Sequence, residues 1–428
     1  MCVLKINNIG AIKNVDFEIS RFTMVIGPES SGKSTIAKLL CNCEWVEKRC
    51  YTSHDEIHEM EEKFLENLEN YHRMHGYIDE SSYLQYIGSY VTISLQNKTA
   101  KIEVNPNREE QYLYPKVCYI PSERNFAATI PNLNKYNESN DNIMYFLYDW
   151  DTARKFVEEA NLKGILNHDF SYKYVQSSKE DIVYDGDVSL KLRNASSGLQ
   201  SVVPLFTTVE YLLSGIYNRI HPLTLEQKEQ ARSFIKAVEK LKASFDDANL
   251  KGSVDEADRK KELQILLDGL LKEPAAAWAL DDIDAFSENA SRKFFYVCSN
   301  LFIEEPEQSL FPPSQERLLY WLVAKILNGE KKHSAFVTTH SPFMLFALNN
   351  CLIGNLVEDK IPENLKNKLQ SLSSWAHKDV ISVYELHNGE LKCIQDQDGL
   401  LMDNYLNKAY KQISSEYLQM LAYYGDEG

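Results

Sequence analysis

A short segment near the N-terminus has the residue types and the spacing needed to hold a phosphate group. It begins at Gly27, reads GPESSGKST, and fits the pattern G-x-x-x-x-G-K-[ST]. Glycines let the backbone curl so that its N–H groups point at phosphate oxygens, and a following helix adds the partial positive charge of its N-terminus. The pattern predicts a nucleotide-binding loop made of Gly27, Pro28, Glu29, Ser30, Ser31, Gly32, Lys33, Ser34 and Thr35.

The flanking sequence supports this interpretation over a plain glycine turn. The apolar run FTMVIG before the loop predicts a strand, and KSTIAKLLCNC after it predicts a helix. In such a loop Lys33 neutralises the β and γ phosphates and Ser34 binds Mg²⁺. The expected ligands are therefore ATP and Mg²⁺.

Two adjacent acids follow a second apolar run, NLFIEE. Glu304 at the tip of this predicted strand is the candidate metal residue, acting through a coordinated water, together with Ser34. Glu305, one residue further, is the candidate catalytic residue that orients or deprotonates the attacking water. Without the phosphate loop, a solvated strand end would be the default interpretation of such a pair.

Two further segments offer polar groups after or before apolar runs. VTTHSP places His340 after a predicted strand, where its imidazole could reach the γ-phosphate or the attacking water, so His340 is a second catalytic candidate. ASSGLQS offers the Ser197 hydroxyl and the Gly198 N–H at a predicted helix start, which is an anion site or an ordinary helix cap.

The order of these segments resembles that of the ABC-type ATPases, and within them the soluble SMC-like and OLD-like branch related to RecF. In that resemblance SSGLQ is similar to the signature motif, with Ser197, Gly198 and Gln200 as nucleotide contacts. EEPEQSLFP is similar to Walker B with the D-loop, and His340 to the switch histidine. YIPSERN is similar to a Pro-x-x-Arg segment of these ATPases, so Arg124 is a candidate for the nucleotide pocket.

The chain departs from the family pattern at three points. Glu304 stands where an Asp is usual, Leu199 replaces the second signature glycine, and no glutamine can be assigned to a Q-loop. The resemblance implies that the ATP site is completed by a second molecule. It therefore implies a homodimer, or a higher homo-oligomer, that forms through the ATP sites.

Strands alternating with helical patterns predict an α/β fold of the P-loop NTPase, ABC-ATPase kind. We expect a mostly parallel sheet flanked by helices, an antiparallel β subdomain and an inserted helical arm. The predicted parts are a first core segment at 1–215 with a helical insertion near 53–87, the arm at 216–292, and a second core segment at 293–428. The acids Asp396 and Asp398 lie in a polar hairpin, and a surface turn explains them better than a nuclease domain.

Composition limits the functional classes. The chain has 428 residues, of which 44% are apolar and 25% charged, and its net charge of −16 disfavours nucleic-acid binding by bulk electrostatics, although a local basic patch would permit DNA binding. No apolar run approaches the ~20 residues of a membrane span, so no membrane contact is expected. Eight scattered cysteines without a pairing pattern predict a reduced, cytoplasmic protein.

Three functions are consistent with these features. The first is an ATP-hydrolysing dimeric switch, by analogy the sensor subunit of a bacterial anti-phage defence system that controls a separate effector such as a nuclease or toxin. The second is a DNA repair or maintenance ATPase similar to RecF or SMC proteins, which binds DNA directly. The third is a structural protein that binds ATP without turning it over.

Overall fold

The computed structural model describes residues 2–52, 57–106, 112–129, 141–166, 169–217, 296–421 and 423–424. Its strands are β1 (Cys2–Ile9), β2 (Ile12–Ile19), β3 (Phe22–Ile26), β4 (Tyr83–Ile87), β5 (Val91–Gln96), β6 (Thr99–Val104), β7 (Pro115–Ile120), β8 (Glu159–Asn161), β9 (Phe170–Val175), β10 (Glu180–Asp185), β11 (Val188–Lys191), β12 (Cys298–Glu304), β13 (Ser334–Thr339), β14 (Ile381–His387) and β15 (Glu390–Cys393). Its helices are α1 (Lys33–Thr52), α2 (Ile57–Asn70), α3 (Phe126–Thr129), α4 (Asn142–Val157), α5 (Ser197–Leu213), α6 (Pro312–Leu327), α7 (Pro342–Val357), α8 (Glu363–Lys366) and α9 (Tyr405–Leu421).

One large sheet organises the molecule. Its eleven strands run in the order β6-β5-β4-β1-β2-β15-β14-β3-β13-β12-β7. The strands β14, β3, β13, β12 and β7 are parallel neighbours, and the strands from β6 to β2 pair antiparallel. The predicted P-loop α/β fold is confirmed, and the predicted antiparallel subdomain continues the same sheet through the parallel β15–β2 pair.

The parallel strands bring the functional segments to one edge. Every residue of β3 is buried, and so is nearly every residue of β12 and β13, as expected for a parallel sheet covered on both faces. Because these strands are parallel, their carboxyl ends meet at the same sheet edge. The phosphate loop follows β3, Glu305 follows β12, His340 follows β13 and Pro121 follows β7. This edge positions the candidate site.

Local turn chemistry explains the hairpins. The turn between β5 and β6 has positive φ at Asn97 and Lys98, and the turn between β14 and β15 has positive φ at Asn388 and Gly389. A separate sheet of four strands, ordered β11-β10-β9-β8, contains a hairpin that turns at Gly186.

The predicted segment boundaries agree with the structure only in part. Within the stretch 53–87, predicted as a helical insertion, residues 57–70 form α2, whereas residues 83–87 form β4 in the main sheet. The chain divides into one unit of Met1–Leu213 with Val297–Gly428 and another of Ser214–Tyr296. The helical arm predicted at 216–292 falls almost wholly outside the described residues.

One helix contradicts the expectation about apolar length. The stretch Ser197–Tyr217, which includes α5, is long and apolar enough to cross a membrane by length and composition. The expectation that no apolar run approaches a span is therefore wrong. Most of this helix is buried inside the fold, which is how a core helix behaves, and α5 packs on α4.

Candidate functional site

The phosphate loop needs its two glycines for different reasons. A Cβ on Gly27 would lie 2.4 Å from the carbonyl oxygen of Leu386 in the neighbouring strand β14, so no side chain fits there. Gly32 has φ of +106°, a conformation that side-chain-bearing residues rarely adopt. Ser30 also has positive φ, and the buried hydroxyl of Ser31 has no partner among the described residues. The loop is a curled backbone cradle, and the Ser31 hydroxyl is a hydrogen-bond donor that it leaves unused among the described residues.

The ammonium group of Lys33 turns back into this cradle. It donates to the carbonyl oxygens of Gly27 at 2.9 Å and Pro28 at 2.8 Å, and lies 3.5 Å from Nδ1 of His340. Burial lowers the pKa of Lys33 to about 8, against the opposing charge of Glu305. A cation held only by neutral acceptors in a desolvated place favours an arriving anion.

The remaining loop residues surround this cation. Glu29 and Ser30 are exposed at the tip of the loop, Ser34 is exposed in the first turn of α1, and Thr35 is buried beneath it. The hydroxyl of Ser34 is thus accessible from the side on which a nucleotide would enter. The predicted loop residues lie together as the motif requires.

Glu304 and Glu305 lie in different environments. Glu304 ends β12 and is buried; its Oε2 accepts a long 3.4 Å bond from the backbone N–H of Ser122, and its Oε1 has no partner in the part of the chain that is described. Glu305 leaves the strand with φ of 42° while its N–H donates to the carbonyl of Thr338 at 2.9 Å. The turn at Glu305 directs the two carboxylates to different positions.

His340 connects the lysine with the second glutamate. Its Nε2 lies 3.1 Å from Oε1 of Glu305, and its Nδ1 faces the ammonium of Lys33. An ionised carboxylate only accepts hydrogen bonds, so Nε2 carries the proton and Nδ1 can accept from Lys33. The hydrogen bond from His340 lowers the pKa of Glu305 although burial opposes it. Glu305 is therefore an anion at neutral pH.

Glu307 is a residue of the site that the sequence-based assignment missed. Its Oε1 accepts from the hydroxyl of Thr339 and, at 2.9 Å, from the backbone N–H of His340. Burial raises the pKa of Glu307, and its other oxygen is buried without a partner among the described residues. Glu307 fixes the turn that carries His340. The sequence Glu-Pro-Glu, which ends at Glu307, is the signal that could have indicated this residue.

The guanidinium of Arg124 forms hydrogen bonds with the backbone of Glu304 and Glu305. Its Nη1 donates to the carbonyl oxygens of Glu304 at 2.7 Å and Pro121 at 3.3 Å, and its Nη2 donates to that of Glu305 at 2.6 Å. The side chain is fully buried, and burial lowers its pKa to about 10. The predicted nucleotide contact is not among these bonds. Arg124 instead clamps the turn that presents Glu305.

Ser197, Gly198 and Gln200 lie elsewhere, at the start of α5. The amide of Gln200 donates to the carbonyl oxygens of Arg193 and Ala195, at 3.0 and 3.1 Å. A Cβ on Gly198 would lie 2.8 Å from the carbonyl oxygen of Ser309, so the helix start touches the loop after Glu305. No hydrogen bond recorded for the described residues joins these three to Lys33 or His340.

Tyr405 enters the site from the far end of the chain. Its backbone N–H donates to Glu385 at 3.0 Å, and its hydroxyl meets the backbone N–H of Gly27. Burial raises the pKa of Tyr405 to about 12. No local sequence signal marks this residue, because only the fold brings it to the phosphate loop.

The residues at the sheet edge fit a magnesium ion held with a nucleotide. Glu304 offers a buried oxygen without a partner, and Ser34 offers an exposed hydroxyl. No group of three or more His, Cys, Asp or Glu side chains placed for a metal occurs in the described ranges. Magnesium bound through one carboxylate, one hydroxyl, waters and substrate phosphates needs no such group.

The chain is similar to solved structures of several nucleotide-binding proteins. An SMC head domain from Thermotoga maritima is 12% identical, with 92% of this chain and 98% of that chain covered and a TM-score of 0.38. A dimeric ATP-binding cassette bound to ADP and phosphate is 12% identical, with 92% and 99% covered and a TM-score of 0.27. The recombination mediator RecF is 10% identical, with 92% and 97% covered and a TM-score of 0.27.

The sequence matches no protein-family model and none of the curated proteins. At the identities and TM-scores of the solved structures, the likeness carries no functional argument. The function is therefore argued from this chain's own residues.

Replacing Arg124 should loosen the turn that carries Glu304 and Glu305. In Arg124→Met three carbonyl oxygens lose their donors, and the two whose hydrogen bonds are buried should cost about 1–3 kcal/mol each. We expect a lower melting temperature and slower turnover with nucleotide affinity largely kept. The matched control is Arg317→Met, which removes a guanidinium that donates to one carbonyl, that of Leu166, at 3.1 Å. An Arg124→Lys protein of native stability that loses nucleotide affinity would instead indicate direct contact with the nucleotide.

Nucleotide binding should depend on pH through Lys33. Its pKa of about 8 means that the ammonium loses its proton as pH rises above 8, whereas a bound phosphate holds the proton on. Affinity should therefore fall above pH 8, by up to about tenfold per pH unit, with one proton taken up per nucleotide. Titration calorimetry at pH 7 to 9 in buffers of different ionisation enthalpy measures both the nucleotide affinity and the proton uptake. In Lys33→Arg the dependence should vanish; if it persists, Lys33 is not its source.

Proposed function

We propose that this protein is a magnesium-dependent ATPase of the ABC type, which works as a nucleotide-dependent dimeric switch. The observation that carries the proposal is the contact series from Lys33 through His340 to Glu305, at 3.5 and 3.1 Å. A phosphate-binding cation and an ionised carboxylate face one another across an imidazole at the carboxyl edge of a parallel sheet. That arrangement suits attack of water on a terminal phosphate.

The residues divide the chemistry as follows. Lys33 and the N–H groups of the loop bind the β and γ phosphates, and Lys33 exchanges its carbonyl partners for phosphate oxygens. Glu305, ionised and aimed by His340, orients the attacking water and accepts its proton. His340 can donate to the γ-phosphate when Glu305 turns to the water. Ser34 and Glu304 would hold Mg²⁺, which neutralises charge on the phosphates.

A second copy would complete the site. Ser197 and Gly198 start a helix, where N–H groups and the helix dipole favour an anion, yet they lie apart from Lys33 in their own subunit. We infer that they bind the γ-phosphate held by the other subunit. Such contacts form only with the triphosphate, so the dimer would be stabilised by ATP and weakened by hydrolysis.

The wider role follows from the switch. The motif order supports the sensor or regulatory subunit of a bacterial anti-phage defence system, in the cytoplasm, that controls a separate nuclease or toxin. This is a fold-level analogy. The competing proposal is a RecF-like or SMC-like ATPase that binds DNA directly, which the net charge of −16 disfavours. Salt-sensitive DNA binding that strengthens with ATP would support the second proposal, and a co-purifying effector without DNA binding would support the first.

Glu305→Gln tests the hydrolytic role. The amide keeps the size of the side chain but cannot accept the proton of the water, so phosphate release should fall by ~100-fold or more. ATP binding should persist, and the dimer should accumulate because hydrolysis no longer releases it. Glu330→Gln, an exposed residue on the loop before β13, is the control. Equal phosphate release by the wild type and Glu305→Gln would show that Glu305 is not the catalytic residue, and no release by the wild type would favour a structural ATP binder.

A mixing experiment tests the composite site. Lys33→Ala and Ser197→Arg should each be inactive alone, since every site lacks either its phosphate cation or its partner's donor. In a mixture, a heterodimer contains one intact site, so activity should return to about a quarter of the wild-type value for random pairing. Ser197 is exposed in its own subunit, which makes this substitution tolerable for folding. A mixture as inactive as its parts would mean that each subunit builds its own site.

A further inference from the structure

Two helices in the C-terminal part of the chain expose apolar faces. On α7 the exposed side chains are Phe343, Phe346, Ile353 and Leu356, which are 36–50% accessible. On α9 they include Tyr410, Ile413, Tyr417 and Met420, which are 60–74% accessible. Single exposed apolar residues are ordinary, but several on one side of a helix indicate an interaction surface.

Five apolar residues of α9 form one stripe, and the exposed Leu418 lies off it. Leu406, Tyr410, Ile413, Tyr417 and Met420 follow one another at spacings of four and three residues, the repeat of a helix that packs on another helix. No residue of α9 is buried. A helix of this length is marginal in water without packing. The stripe therefore needs a partner surface.

Helix α7 provides a surface of matching chemistry. It contains no charged residue over its sixteen positions, and its inner face, including Leu345 and Leu348, packs in the core. Three asparagines, Asn349, Asn350 and Asn355, interrupt its apolar sequence, and Asn350 is exposed between Phe346 and Ile353. The outer face of α7 is thus a candidate binding surface for another helix, and a poor one for a nucleic acid because it carries no charge.

The lengths and charges of the two helices fit an antiparallel pairing. Helix α7 has 16 residues and α9 has 17. At 1.5 Å per residue they are about 24 and 25 Å long. In the antiparallel direction, Lys408 near the start of α9 meets Glu358 and Asp359, which follow α7, and Glu416 lies towards the positive N-terminal end of α7.

The root of α9 is fixed beside its own α7. The N–H of Leu401 donates to Oδ1 of Asn349 on α7 at 3.0 Å, and the side chain of Asn404 caps α9 by accepting from Leu406 and Asn407. From this anchored root α9 extends with its side chains in solvent and does not return to its own α7. Among the described residues no surface covers the stripe.

We propose that α9 of one copy packs antiparallel on α7 of a second copy, and that the second copy returns the same contact. The stripe of α9 and the outer face of α7 belong to the same chain, so each copy supplies both partners. The exchange therefore gives a closed dimer with two-fold symmetry. This contact needs no nucleotide, so it goes beyond the ATP-dependent dimer proposed above. The N–H of Tyr405, the first residue of α9, donates to Glu385, which pairs with Ile26 at the end of β3, so the root of the exchanged helix lies beside the phosphate loop.

The test is light scattering on the full chain without nucleotide. The wild type should be dimeric, whereas Ile413→Glu with Tyr417→Glu on α9, and separately Phe346→Glu with Leu356→Glu on α7, should each be monomeric with an unchanged circular dichroism spectrum. The matched control is Gln412→Glu with Ser415→Glu, which adds the same charge to the opposite face of α9. That control should remain dimeric.

Mixing the two monomeric variants gives the decisive outcome. Each supplies one intact partner, so a heterodimer held by a single α9–α7 contact should appear. If the α7 variant stays dimeric while the α9 variant does not, α9 pairs with α9 and the proposal is wrong. A monomeric wild type without nucleotide also overturns it, whether α9 binds its own chain or a different protein. Lys33→Ala should still dimerise without nucleotide, so failure of the ATPase proposal and failure of this one are distinguishable.

Discussion

The buried ammonium of Lys33 is the interaction on which the rest of the site depends. It is held by two carbonyl oxygens and faces an imidazole, and no carboxylate within salt-bridge distance is recorded for it among the described residues. Burying a charge without a counter-ion is unfavourable, and the lowered pKa of Lys33 expresses that cost. The loop is thus built to be completed by an anion. A phosphate chain supplies that charge with several oxygens at once.

Glutamates lie near this cation without reaching salt-bridge distance, and the fold gives two of them, Glu305 and Glu307, different pKa shifts. His340 keeps Glu305 ionised, whereas burial raises the pKa of Glu307. Environments that separate the pKa values of neighbouring carboxyls also separate their roles. In the proposed mechanism Glu305 is the base, whereas Glu307 supports the turn that carries His340. Arg124 holds the backbone between them, so both roles depend on a residue that does not need to touch the substrate.

Part of the fold and of the site could be predicted from the sequence, because some of their features are determined by short continuous segments. The strand and helix on either side of the phosphate loop and the strand that ends at Glu304 are each encoded within a few residues, and the structure contains each of them. The clamp by Arg124 and the position of Tyr405 could not be predicted, because they exist only once β7 lies beside β12 and the C-terminal segment returns to β14 beside β3. The exposed face of α7 also left no signal, since a helix without charged residues shows little contrast between its faces.

In the proposed dimer, the contact between Gly198 and Ser309 would give a physical route between subunits. Ser309 follows Glu305 by four residues, and its carbonyl oxygen lies where a Cβ on Gly198 would clash. Any shift of the α5 start caused by a γ-phosphate of the second copy would therefore press on the loop that begins at Glu305. The same backbone bears the clamp from Arg124, whose bonds to the carbonyls of Glu304 and Glu305 resist such a shift. In the proposed dimer, the strength of that clamp would set how much of the motion reaches Glu305. Coupling between the two sites would then rest on backbone contacts and would not require a change of side-chain chemistry.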